Sequence, residues 1–581
     1  MKRKTSGLLW PVPRYAFTVL ALLASVNVYA QKKTGTYSTD KAIIDKGEAL
    51  FQKNCTECHN FRQRGIGPDL AGVTGEQTYT YLSRFIKNSQ LVIKTGNKHA
   101  VALFNEFNKV PMPSHLQFTT TDLNAILSFI NTHKKVVAVE QDLGDLGPKI
   151  TNPQPEKIAK AGLTLKLTEF ATAPATSTKN PLTRINQTFV LKGPGGDRLF
   201  MLDLRGKLYE IKNKQFTTVM DMARLKPDFI SEPGLATGWG SYAFHPEFYK
   251  NGLLYTTHTE RKGSAPADFA YADSIPVALQ WIVTEWKVKD PSASTFEATP
   301  RELFRVNMPS PMHGMQQITF NLQAKPGTAD YGLLYIDIGD GGSAENGYLQ
   351  LCDNPTQIRA SVLRINPAGR DSRNGKYGIV KANTWAHDAD QNTLGEVYAR
   401  GFRNPNRITW APDGKVLVSE IGFNNQEEIN ILKPGLDYGW PYREGTFKLV
   451  FAGKKSGIYN LPVHDDPKYT YPVAEYDHDE GNSISGGFVY TGNIAMLKGK
   501  YIFGDIVKGR VFFVDYADLK LGKQSTIKEF DLQFGDQKST FIDMVRNKKA
   551  DMRFGLGENG VLYIWAKTDG KIWQVTDCVT N

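Results

Sequence analysis

A short strand phrase recurs along the C-terminal part of this chain and narrows the range of folds open to it. In each copy a glycine or a polar residue leads into an apolar run rich in leucine, valine, isoleucine and tyrosine, as expected for a β-strand. Six copies stand at residues 198–211, 252–255, 332–335, 415–418, 500–503 and 560–563. A strand-rich unit repeated six times predicts a mainly β fold, a six-bladed β-propeller. A β-sandwich is the alternative, and the repeated G-x-L-Y wording weighs against it.

Near the other end of the chain, the residues from Cys55 to His59 read C-x-x-C-H. In this pattern two thiols form thioether bonds to a haem, and the histidine ligates its iron. A zinc site would need two more ligands nearby, and a thioredoxin-like pair would need a βαβ context. Neither is evident, and the chain has only four cysteines among 581 residues. The motif therefore predicts covalently bound haem c, attached through Cys55 and Cys58, with His59 as an axial ligand.

A second axial ligand is expected downstream of this motif. Met112 lies between two prolines, which hold the loop extended and can present the thioether to a flat cofactor. His99 and His115 are the rival ligands. Helical periodicity precedes the motif and follows Met112. This block resembles the class I cytochromes c over about residues 39–134, and the resemblance implies a small all-α domain in which Met112 is the distal ligand.

The N-terminus has the pattern of a secretory signal peptide. Residues 1–4 are basic, residues 15–26 are largely apolar, and residues 28–30 form a small-x-small cleavage site. The apolar run is shorter than the ~20 residues that a membrane-spanning helix needs. We expect an exported protein, periplasmic or secreted, with no membrane span in its mature chain. An uncleaved anchor is the alternative.

The charge balance limits the partners that this chain can have. Lysine and arginine total 70 against 59 aspartate and glutamate, and the net charge of +11 falls to +7 without the four basic residues of the signal. This modest excess suits solubility and an acidic electron-transfer partner. No basic block with interleaved aromatic residues stands out, so we expect no nucleic-acid partner. Cys352 and Cys578 are expected to form either a disulfide or two free buried thiols.

Changes in composition divide the chain into four segments. Residues 1–30 are the predicted signal peptide, and residues 31–134 are the predicted cytochrome c domain. Residues 135–165 contain Gly-Pro, Asn-Pro and Gln-Pro dipeptides without sustained periodicity, which is typical of a linker. Residues 166–577 contain the strand repeat and form the predicted propeller.

Loops between the strand copies hold the side chains with the strongest chemistry. His313 stands beside a glycine just before a strand, and Arg403 and Asn404 precede another strand. Lys508 lies in a break after the fifth copy. Since the loops of a propeller converge at its central channel, cations from several blades would form a pocket for a polyanion.

This part of the chain resembles the soluble PQQ-dependent glucose and sorbosone dehydrogenase family, whose members are six-bladed propellers. The resemblance spans about residues 180–576. It rests on four phrases, A-F-H-P-E-F at residues 243–248, G-F-R-N-P at 401–405, S-E-x-G-x-N-x-x-E-E-I-N at 419–430 and Y-G-W-P at 438–441. The resemblance implies PQQ and Ca²⁺ as cofactors, with the ion bound by the backbone carbonyls of Gly422 and Phe423.

The resemblance also implies a role for several side chains. His313 is the expected general base, since a histidine of ordinary pKa can take a hydroxyl proton at neutral pH. Arg403 and Asn404 are expected to contact the quinone of PQQ, with Arg403 polarising the carbonyl that receives hydride. Lys508 is expected to pair with the PQQ carboxylates. His245 is the rival base, but it precedes a strand like a turn residue and is expected to be structural.

The family pattern is altered in two places. Where the family has an R-x-R-D phrase before its last blade, residues 547–553 read N-K-K-A-D-M-R, and Lys549 or Arg553 is the expected substitute. Residues 477–482 replace the aromatic residues expected to contact a sugar, which leaves the substrate open.

Together these features predict an exported quinohaemoprotein that oxidises a hydroxyl of a sugar or other polyol. Electrons would pass to its own haem c and then to an external acceptor, a cytochrome or an oxidase. The alternative is a non-catalytic sugar-binding or electron-relay propeller fused to cytochrome c. Glu427 and Glu428 are expected to lie in a solvated turn, with a second metal site as the alternative.

Overall fold

The computed structural model describes residues 37–56, 58–62, 67–107, 109–135, 146–234, 236–451 and 455–581. These residues fall into two compact units. The smaller takes its described residues from Met1–Phe51 and Leu70–Val136, and the larger from Gln52–Asp69 and Val137–Asn581. The predicted signal peptide, residues 1–30, lies outside the described residues. None of the described helices is long and apolar enough to cross a membrane.

The N-terminal part of the chain is helical, as its periodicity predicts. Its helices are α1 (Lys41–Asn54), α2 (Val73–Glu76), α3 (Tyr79–Lys94), α4 (Lys98–Glu106) and α5 (Thr120–Thr132). Thr119 and Asp122 form a capping box that begins α5, because each side chain accepts a hydrogen bond from the backbone N–H of the other. Gly47 allows α1 and α5 to approach closely, since a Cβ atom there would collide with the Ala125 carbonyl.

The larger unit is mainly β, and its first strand is β1 (Ala159–Thr172). Two four-stranded antiparallel sheets follow, in the order β2 (Ile185–Leu191), β3 (Arg198–Asp203), β4 (Lys207–Lys212), β5 (Gln215–Asp221) and β6 (Trp239–Phe244), β7 (Leu253–Arg261), β8 (Leu279–Val288), β9 (Ala298–Met308). A third sheet contains β10 (Ile318–Phe320), β11 (Leu334–Ile338), β12 (Ser361–Asn366), β13 (Gly378–Ile379) and β14 (Val397–Arg400).

The remaining strands form three more sheets. A four-stranded sheet contains β15 (Pro405–Trp410), β16 (Val416–Glu420), β17 (Gln426–Leu432) and β21 (Ala474–Asp477). A small three-stranded sheet, which lies between β17 and β21 in the sequence, contains β18 (Arg443–Glu444), β19 (Phe447–Val450) and β20 (Gly457–Tyr459). The last sheet contains β22 (Ile484–Val489), β23 (Lys500–Asp505), β24 (Val511–Asp515), β25 (Lys528–Phe534), β26 (Gln537–Lys538), β27 (Met552–Leu556), β28 (Leu562–Ala566) and β29 (Lys571–Thr580), together with β1. Short helices α6 (Met222–Leu225), α7 (Phe248–Asn251) and α8 (Phe541–Val545) lie between strands.

Each copy of the recurrent phrase contains or begins the second strand of an antiparallel group. These second strands are β3, β7, β11, β16, β23 and β28. Several first strands contact the first strand of the next group: β6 contacts β10, β15 contacts β22, β22 contacts β27, and β27 contacts β2. The repeat in the sequence is therefore a repeat in the structure.

Hydrophobic clusters fill the spaces between successive groups of strands. Phe200 of β3 packs in one cluster with Phe244 of β6, which joins the first group to the second. Met201, also of β3, packs in another cluster with Trp565 of β28, which joins the first group to the last. Adjacent residues of one strand thus face two different neighbours, so the sheets are buried on both faces.

The last sheet contains two groups of strands held together by β1. This strand pairs in parallel with β25 and antiparallel with β29. Residues 159–165 of the predicted linker therefore belong to a strand, and the predicted linker, residues 135–165, is too long at its C-terminal end. The sequence does not reveal this because the pairing partners of β1 lie hundreds of residues away.

The two cysteines outside the haem motif are separate. Cys352 and Cys578 carry reduced, buried thiols. They belong to different hydrophobic clusters, and Cys578 lies in β29 opposite Leu165. The structure supports two buried thiols rather than a disulfide.

Candidate active site

His313 lies in the loop between β9 and β10, where tight packing holds it. Its backbone has a φ of 47°, in the left-handed region that few non-glycine residues occupy. A Cβ atom on the next residue, Gly314, would collide with the indole of Trp281. The imidazole is buried, and its Nδ1 lies 2.7 Å from Oδ1 of Asp340, just after β11. The loop before β10 and the loop after β11 lie at the same end of these two antiparallel strands, and together they bring a histidine and a carboxylate into contact.

Asp340 keeps its charge in a fully buried position. Burial opposes ionisation, but His313 and Arg403 stabilise the charged carboxylate, and the pKa of Asp340 is lowered. Oδ1 also accepts a hydrogen bond from the N–H of Gly342 at 2.8 Å, and Oδ2 accepts one from Nε1 of Trp440 at 3.2 Å. A charged carboxylate at Nδ1 favours the tautomer with the proton on that nitrogen. Nε2 of His313 is then the ring atom that can accept a proton.

Arg403 is buried and is engaged by the chain itself. Its Nε and Nη2 donate to Oε1 of Glu345 at 2.9 and 2.5 Å. Its Nη1 donates to the backbone carbonyls of Gly422 at 2.6 Å and Ile421 at 3.1 Å. The N–H of Asp340 donates to the carbonyl of Arg403 at 2.8 Å, which joins this ion pair to the histidine. Glu345 therefore balances the charge that was expected to face a quinone.

Sequence reasoning missed both carboxylates of this site. Asp340 and Glu345 lie in the glycine-rich run of residues 339–345, directly after the apolar strand β11. Acidic side chains in a glycine-rich loop at a strand end are a signal that could have found them.

Several buried polar atoms of this site lack a partner. Oε1 of Glu420 accepts hydrogen bonds from the N–H groups of Arg403 and Asn404 at 2.6 and 2.8 Å. Oε2 of Glu420, Oε2 of Glu345 and Oδ1 of Asn404 are buried without a hydrogen-bond partner among the described residues. Since buried polar atoms ordinarily find partners, this set fits a bound polar group such as a metal ion, a quinone cofactor or water.

The loop that contains Gly422 and Phe423 is organised by Glu444 in β18. Oε1 of Glu444 accepts hydrogen bonds from the four consecutive N–H groups of residues 423–426, at 2.7–3.1 Å. A Cβ atom on Gly422 would collide with the carbonyl of Gln426. A Ca²⁺ ion bound at the carbonyl of Gly422 would share that oxygen with Arg403. The roles of Gly422 and Phe423 as calcium ligands stay predictions.

Lys508 lies half-buried in a different network. Its Nζ donates to the backbone carbonyls of Asp479 at 2.7 Å and His478 at 3.3 Å. Burial lowers its pKa, because a charged ammonium loses hydration there. A carboxylate of a bound ligand would be a better acceptor than either carbonyl.

Lys549 and Arg553, the expected substitutes for the lost arginine pair, lie around Asp551. Nζ of Lys549 is 3.6 Å from Oδ1 of Asp551, and Nη1 of Arg553 is 3.9 Å from the same oxygen. Nε of Arg553 donates to Oδ1 of Asn186 at 3.2 Å. The site residues predicted for the propeller thus fall into three networks. The first holds His313, Arg403, Asn404, Gly422 and Phe423, the second holds Lys508, and the third holds Lys549.

Two expectations about neighbouring residues have clear outcomes. His245 has a structural role, as expected, because its Nδ1 accepts a hydrogen bond from the N–H of Glu247 at 3.0 Å. Glu427 and Glu428 lie in β17 and are buried, so the predicted solvated turn is wrong. Oε1 of Glu427 lies 2.9 Å from Nε2 of His478. The turn was predicted from local polarity, whereas the neighbouring strands decide the burial.

The C-x-x-C-H motif follows the end of α1. Cys55 and Cys58 carry reduced thiols, and burial raises the pKa of Cys55 to about 12. Nδ1 of His59 lies 3.0 Å from the carbonyl of Pro68, so Nε2 is the ring atom suited to ligate iron. A Cβ atom on Gly67 would collide with the same imidazole ring.

The loop of Met112 is anchored to α3. Oγ of Ser89 donates to the carbonyl of Met112 at 3.2 Å. Of the rival ligands, His99 is exposed and His115 is buried. The hydroxyl of Tyr81 and Nε2 of Gln90 in the same helix are buried without a hydrogen-bond partner among the described residues. These orphaned groups fit the polar edge of a haem.

Two family models match the chain. The model described as glucose / sorbosone dehydrogenase matches residues 194–534, which is more than half of the chain. The cytochrome c model matches residues 44–134.

The similar proteins include enzymes and proteins that are not named as enzymes. The chain is 26% identical over 360 residues to the HIPL2 protein of Arabidopsis thaliana, covering 54% of this chain and 49% of the relative. It is 25% identical over 220 residues to quinoprotein glucose dehydrogenase B of Acinetobacter calcoaceticus, covering 37% and 42%. The chain thus spans about half the length of HIPL2, and less of the dehydrogenase.

Among solved structures, the chain is similar to the PQQ-bound form of the aldose sugar dehydrogenase from Streptomyces coelicolor. The identity is 18% with a TM-score of 0.45, and the match covers 71% of this chain and 97% of that chain.

Proposed function

Since this chain belongs to the glucose/sorbosone dehydrogenase family and carries a cytochrome c domain, we propose that it oxidises a hydroxyl of a sugar or other polyol. Electrons from that oxidation pass to its own haem c. The observation that carries the proposal is the buried pair of His313 and Asp340, with Nδ1 and Oδ1 2.7 Å apart. A histidine oriented in this way is suited to take a proton from a substrate hydroxyl.

His313 and Asp340 divide the proton chemistry between them. The substrate hydroxyl gives its proton to Nε2 of His313, and the charged Asp340 stabilises the imidazolium that forms. Asp340 does not need to take the proton, because its lowered pKa keeps it ionised. Burial of both residues excludes water that would compete for this proton.

We propose PQQ and Ca²⁺ as the cofactors of the larger unit. When bound, PQQ would supply a two-electron acceptor for the hydride, with Ca²⁺ polarising its carbonyl. The unpartnered Oδ1 of Asn404 and Oε2 of Glu420 fit a polar ligand beside Arg403. Lys508, with only carbonyl acceptors described for its ammonium, suits a carboxylate of the cofactor.

We propose that haem c is attached to Cys55 and Cys58, with His59 and Met112 as axial ligands. A histidine and methionine pair raises the reduction potential of a haem relative to two histidines, which suits an electron acceptor. A haem takes one electron at a time, so it must be reoxidised between the two electrons of each substrate oxidation. A cytochrome or an oxidase outside the chain would accept each of these electrons from the haem.

The architecture that we propose for the larger unit is a six-bladed propeller. The six recurrent phrases in second strands support it, as do the clusters that join the first group of strands to both the second and the last. We also propose export to the periplasm or beyond the cell, on the basis of the signal-like residues 1–30.

One observation favours the alternative, a non-catalytic sugar-binding or electron-relay propeller. Arg403 donates four hydrogen bonds to Glu345, Gly422 and Ile421, so a quinone would have to compete with groups of the chain for most of this guanidinium.

The decisive experiment adds PQQ, Ca²⁺ and a panel of aldoses to the purified, haem-loaded protein and follows the absorbance band of reduced haem. We expect the band to grow with at least one sugar. His313→Ala should abolish haem reduction while PQQ still binds, and His245→Ala, which alters a structural turn, is the matched control. Absence of both PQQ binding and sugar-dependent haem reduction would show that the larger unit is not a PQQ dehydrogenase.

A further inference from the structure

A buried lysine near the end of the chain has a charge that its surroundings do not balance. Lys567 follows β28 and is only 5% exposed. Its N–H donates to the carbonyl of Asp551 at 3.2 Å, and its carbonyl accepts from the N–H of Thr183 at 3.1 Å. The backbone of Lys567 is therefore fixed between the residues that precede β27 and β2. No described residue accepts a hydrogen bond from its Nζ.

The charged groups that face Lys567 are mostly cations. They are Arg184, Lys549 and Arg553, opposed by the carboxylate of Asp551, and Arg553 is also under the influence of Asp505. Burial would raise the pKa of Asp551, but the surrounding cations lower it to about 2, so the carboxylate stays charged. Four basic side chains, Lys567 included, thus stand against two carboxylates, which leaves an excess of positive charge. Burial and the neighbouring cations lower the pKa of Lys567 well below its usual value.

A second, independent observation lies at the edge of this cluster. Oδ1 of Asn186 accepts a hydrogen bond from Nε of Arg553 at 3.2 Å. The backbone carbonyl of Asn186 accepts one from Nη2 of Arg407 at 2.7 Å. Nδ2 of the same Asn186 amide is buried and has no partner among the described residues. Two donors, an ammonium and an amide, are thus left without acceptors beside the same guanidinium.

We infer that Lys567, Arg553 and Asn186 form an anion-binding site for a carboxylate group, which in the proposed dehydrogenase belongs to the quinone cofactor. Burial disfavours the charged form of Lys567, and a bound carboxylate that accepts hydrogen bonds from Lys567 and Asn186 would stabilise that charged form. Only the identity of the ligand rests on the proposed function.

The position of the cluster agrees with this assignment. Asp551 directly precedes β27, the first strand of its group, just as Arg403 and Asn404 precede β15. In the proposed propeller these loops open at the same end of the central channel. The site therefore stands where the R-x-R-D arginines are missing, and Lys567 comes from a different loop, after β28.

The test measures binding to the full-length, haem-loaded protein by titration calorimetry. The probes are PQQ, benzene-1,3,5-tricarboxylate and inorganic phosphate, and the variants are Lys567→Met and Lys567→Arg. We expect Lys567→Met to weaken binding of PQQ and of the tricarboxylate by about tenfold or more, with Lys567→Arg close to wild type. Lys500→Met, at a mostly buried lysine paired with Asp515, is the matched control and should bind both probes normally.

A second measurement separates ligand binding from a structural role. Because burial in the cofactor-free protein disfavours the charge of Lys567, Lys567→Met should raise the Tm of that protein. If Lys567→Met instead lowers the Tm and Lys567→Arg keeps the wild-type Tm, the positive charge stabilises the fold itself. The inference of an anion-binding site would then be wrong.

The outcomes also distinguish this inference from the proposed function. If PQQ binds wild type and Lys567→Met equally, the site is wrong and the dehydrogenase proposal stands. If wild type binds the tricarboxylate or phosphate through Lys567 but does not bind PQQ, the anion site is supported and the cofactor assignment fails. If wild type binds none of the three probes, there is no anion site here.

Discussion

At the scale of single residues, the most important contact of the candidate active site is the buried ion pair of Arg403 and Glu345. The guanidinium is 3% exposed, the carboxylate is 2% exposed, and two N–H groups meet one carboxylate oxygen. A buried pair of this kind restrains both partners strongly, because removal of one leaves the other charged and unpaired. Glu345 thus controls how much positive charge Arg403 can offer to a ligand.

Glu345→Gln should release that restraint. We expect the cofactor-free protein to lose about 3 kcal/mol of unfolding free energy, since Arg403 keeps its charge without a buried anion. The same variant should bind PQQ more tightly than wild type, because the freed charge attracts an anionic ligand. Denaturant unfolding and PQQ titration measure the two effects, and Glu345→Asp, which keeps the charge, is the control. Unchanged stability together with unchanged affinity would show that Glu345 does not restrain Arg403.

At the scale of elements, β17 carries carboxylates into the interior. Glu428 is buried in this strand, and burial, together with Glu475 and Glu444, raises its pKa to about 8. The pKa of Glu475 in β21 is likewise raised, to about 7, chiefly by burial. Both groups therefore favour the protonated form when the protein is folded. Burial of these two carboxyl groups disfavours their ionised form, and both lie in the sheet of β17 and β21. The loop that directly precedes β17 contains Gly422 and Phe423 of the candidate site.

This arrangement predicts a pH dependence of stability. Between the ordinary glutamate pKa of 4.5 and about 8, the folded protein holds a proton on Glu428 that the unfolded chain releases. The contribution of Glu428 to the free energy of unfolding is therefore fully present below pH 4.5 and is lost as the pH rises to about 8. Over this range the free energy of unfolding falls by up to about 1.4 kcal/mol per pH unit. Glu428→Gln should flatten this decline in denaturant unfolding. Glu558→Gln, at an exposed glutamate, should not, and equal slopes in wild type and Glu428→Gln would contradict the assignment.

At the scale of the whole molecule, one chain combines a cytochrome c domain with a domain of the glucose/sorbosone dehydrogenase family. In the function that we propose, the two-electron oxidation and the one-electron carrier belong to the same chain. No encounter between separate proteins is then needed, since a tether raises the effective concentration of one domain near the other.

A haem-free variant tests this division of labour. Cys55→Ala combined with Cys58→Ala should keep sugar-dependent reduction of a two-electron dye, because His313 and its partners are untouched. It should lose reduction of an external cytochrome by about tenfold or more, because the intramolecular acceptor is gone. Cys578→Ala, which alters a buried thiol in β29, should keep both activities. An unchanged rate with the external cytochrome would show that electrons leave the larger unit without passing through haem.

The chain by itself determined what depends on neighbours in sequence. The strand phrase marks the second strand of each group, because alternation and turn residues act over a few positions. The haem motif and the capped helices around it are local in the same way. Arg403 was identifiable because it belongs to the short phrase G-F-R-N-P, and His313 because it stands beside a glycine just before a strand.

Only the tertiary structure decided what depends on distant contacts. β1 closes the last sheet through partners hundreds of residues away, so its first residues read as linker. Glu345 meets Arg403 across 58 positions, and Lys567 meets Arg184 from the opposite end of the larger unit. Burial and charge pairing are properties of three-dimensional neighbours. Because of these neighbours, Arg403 forms an ion pair with Glu345, and Lys567, which no sequence pattern indicated, lies at the centre of the anion site that we infer.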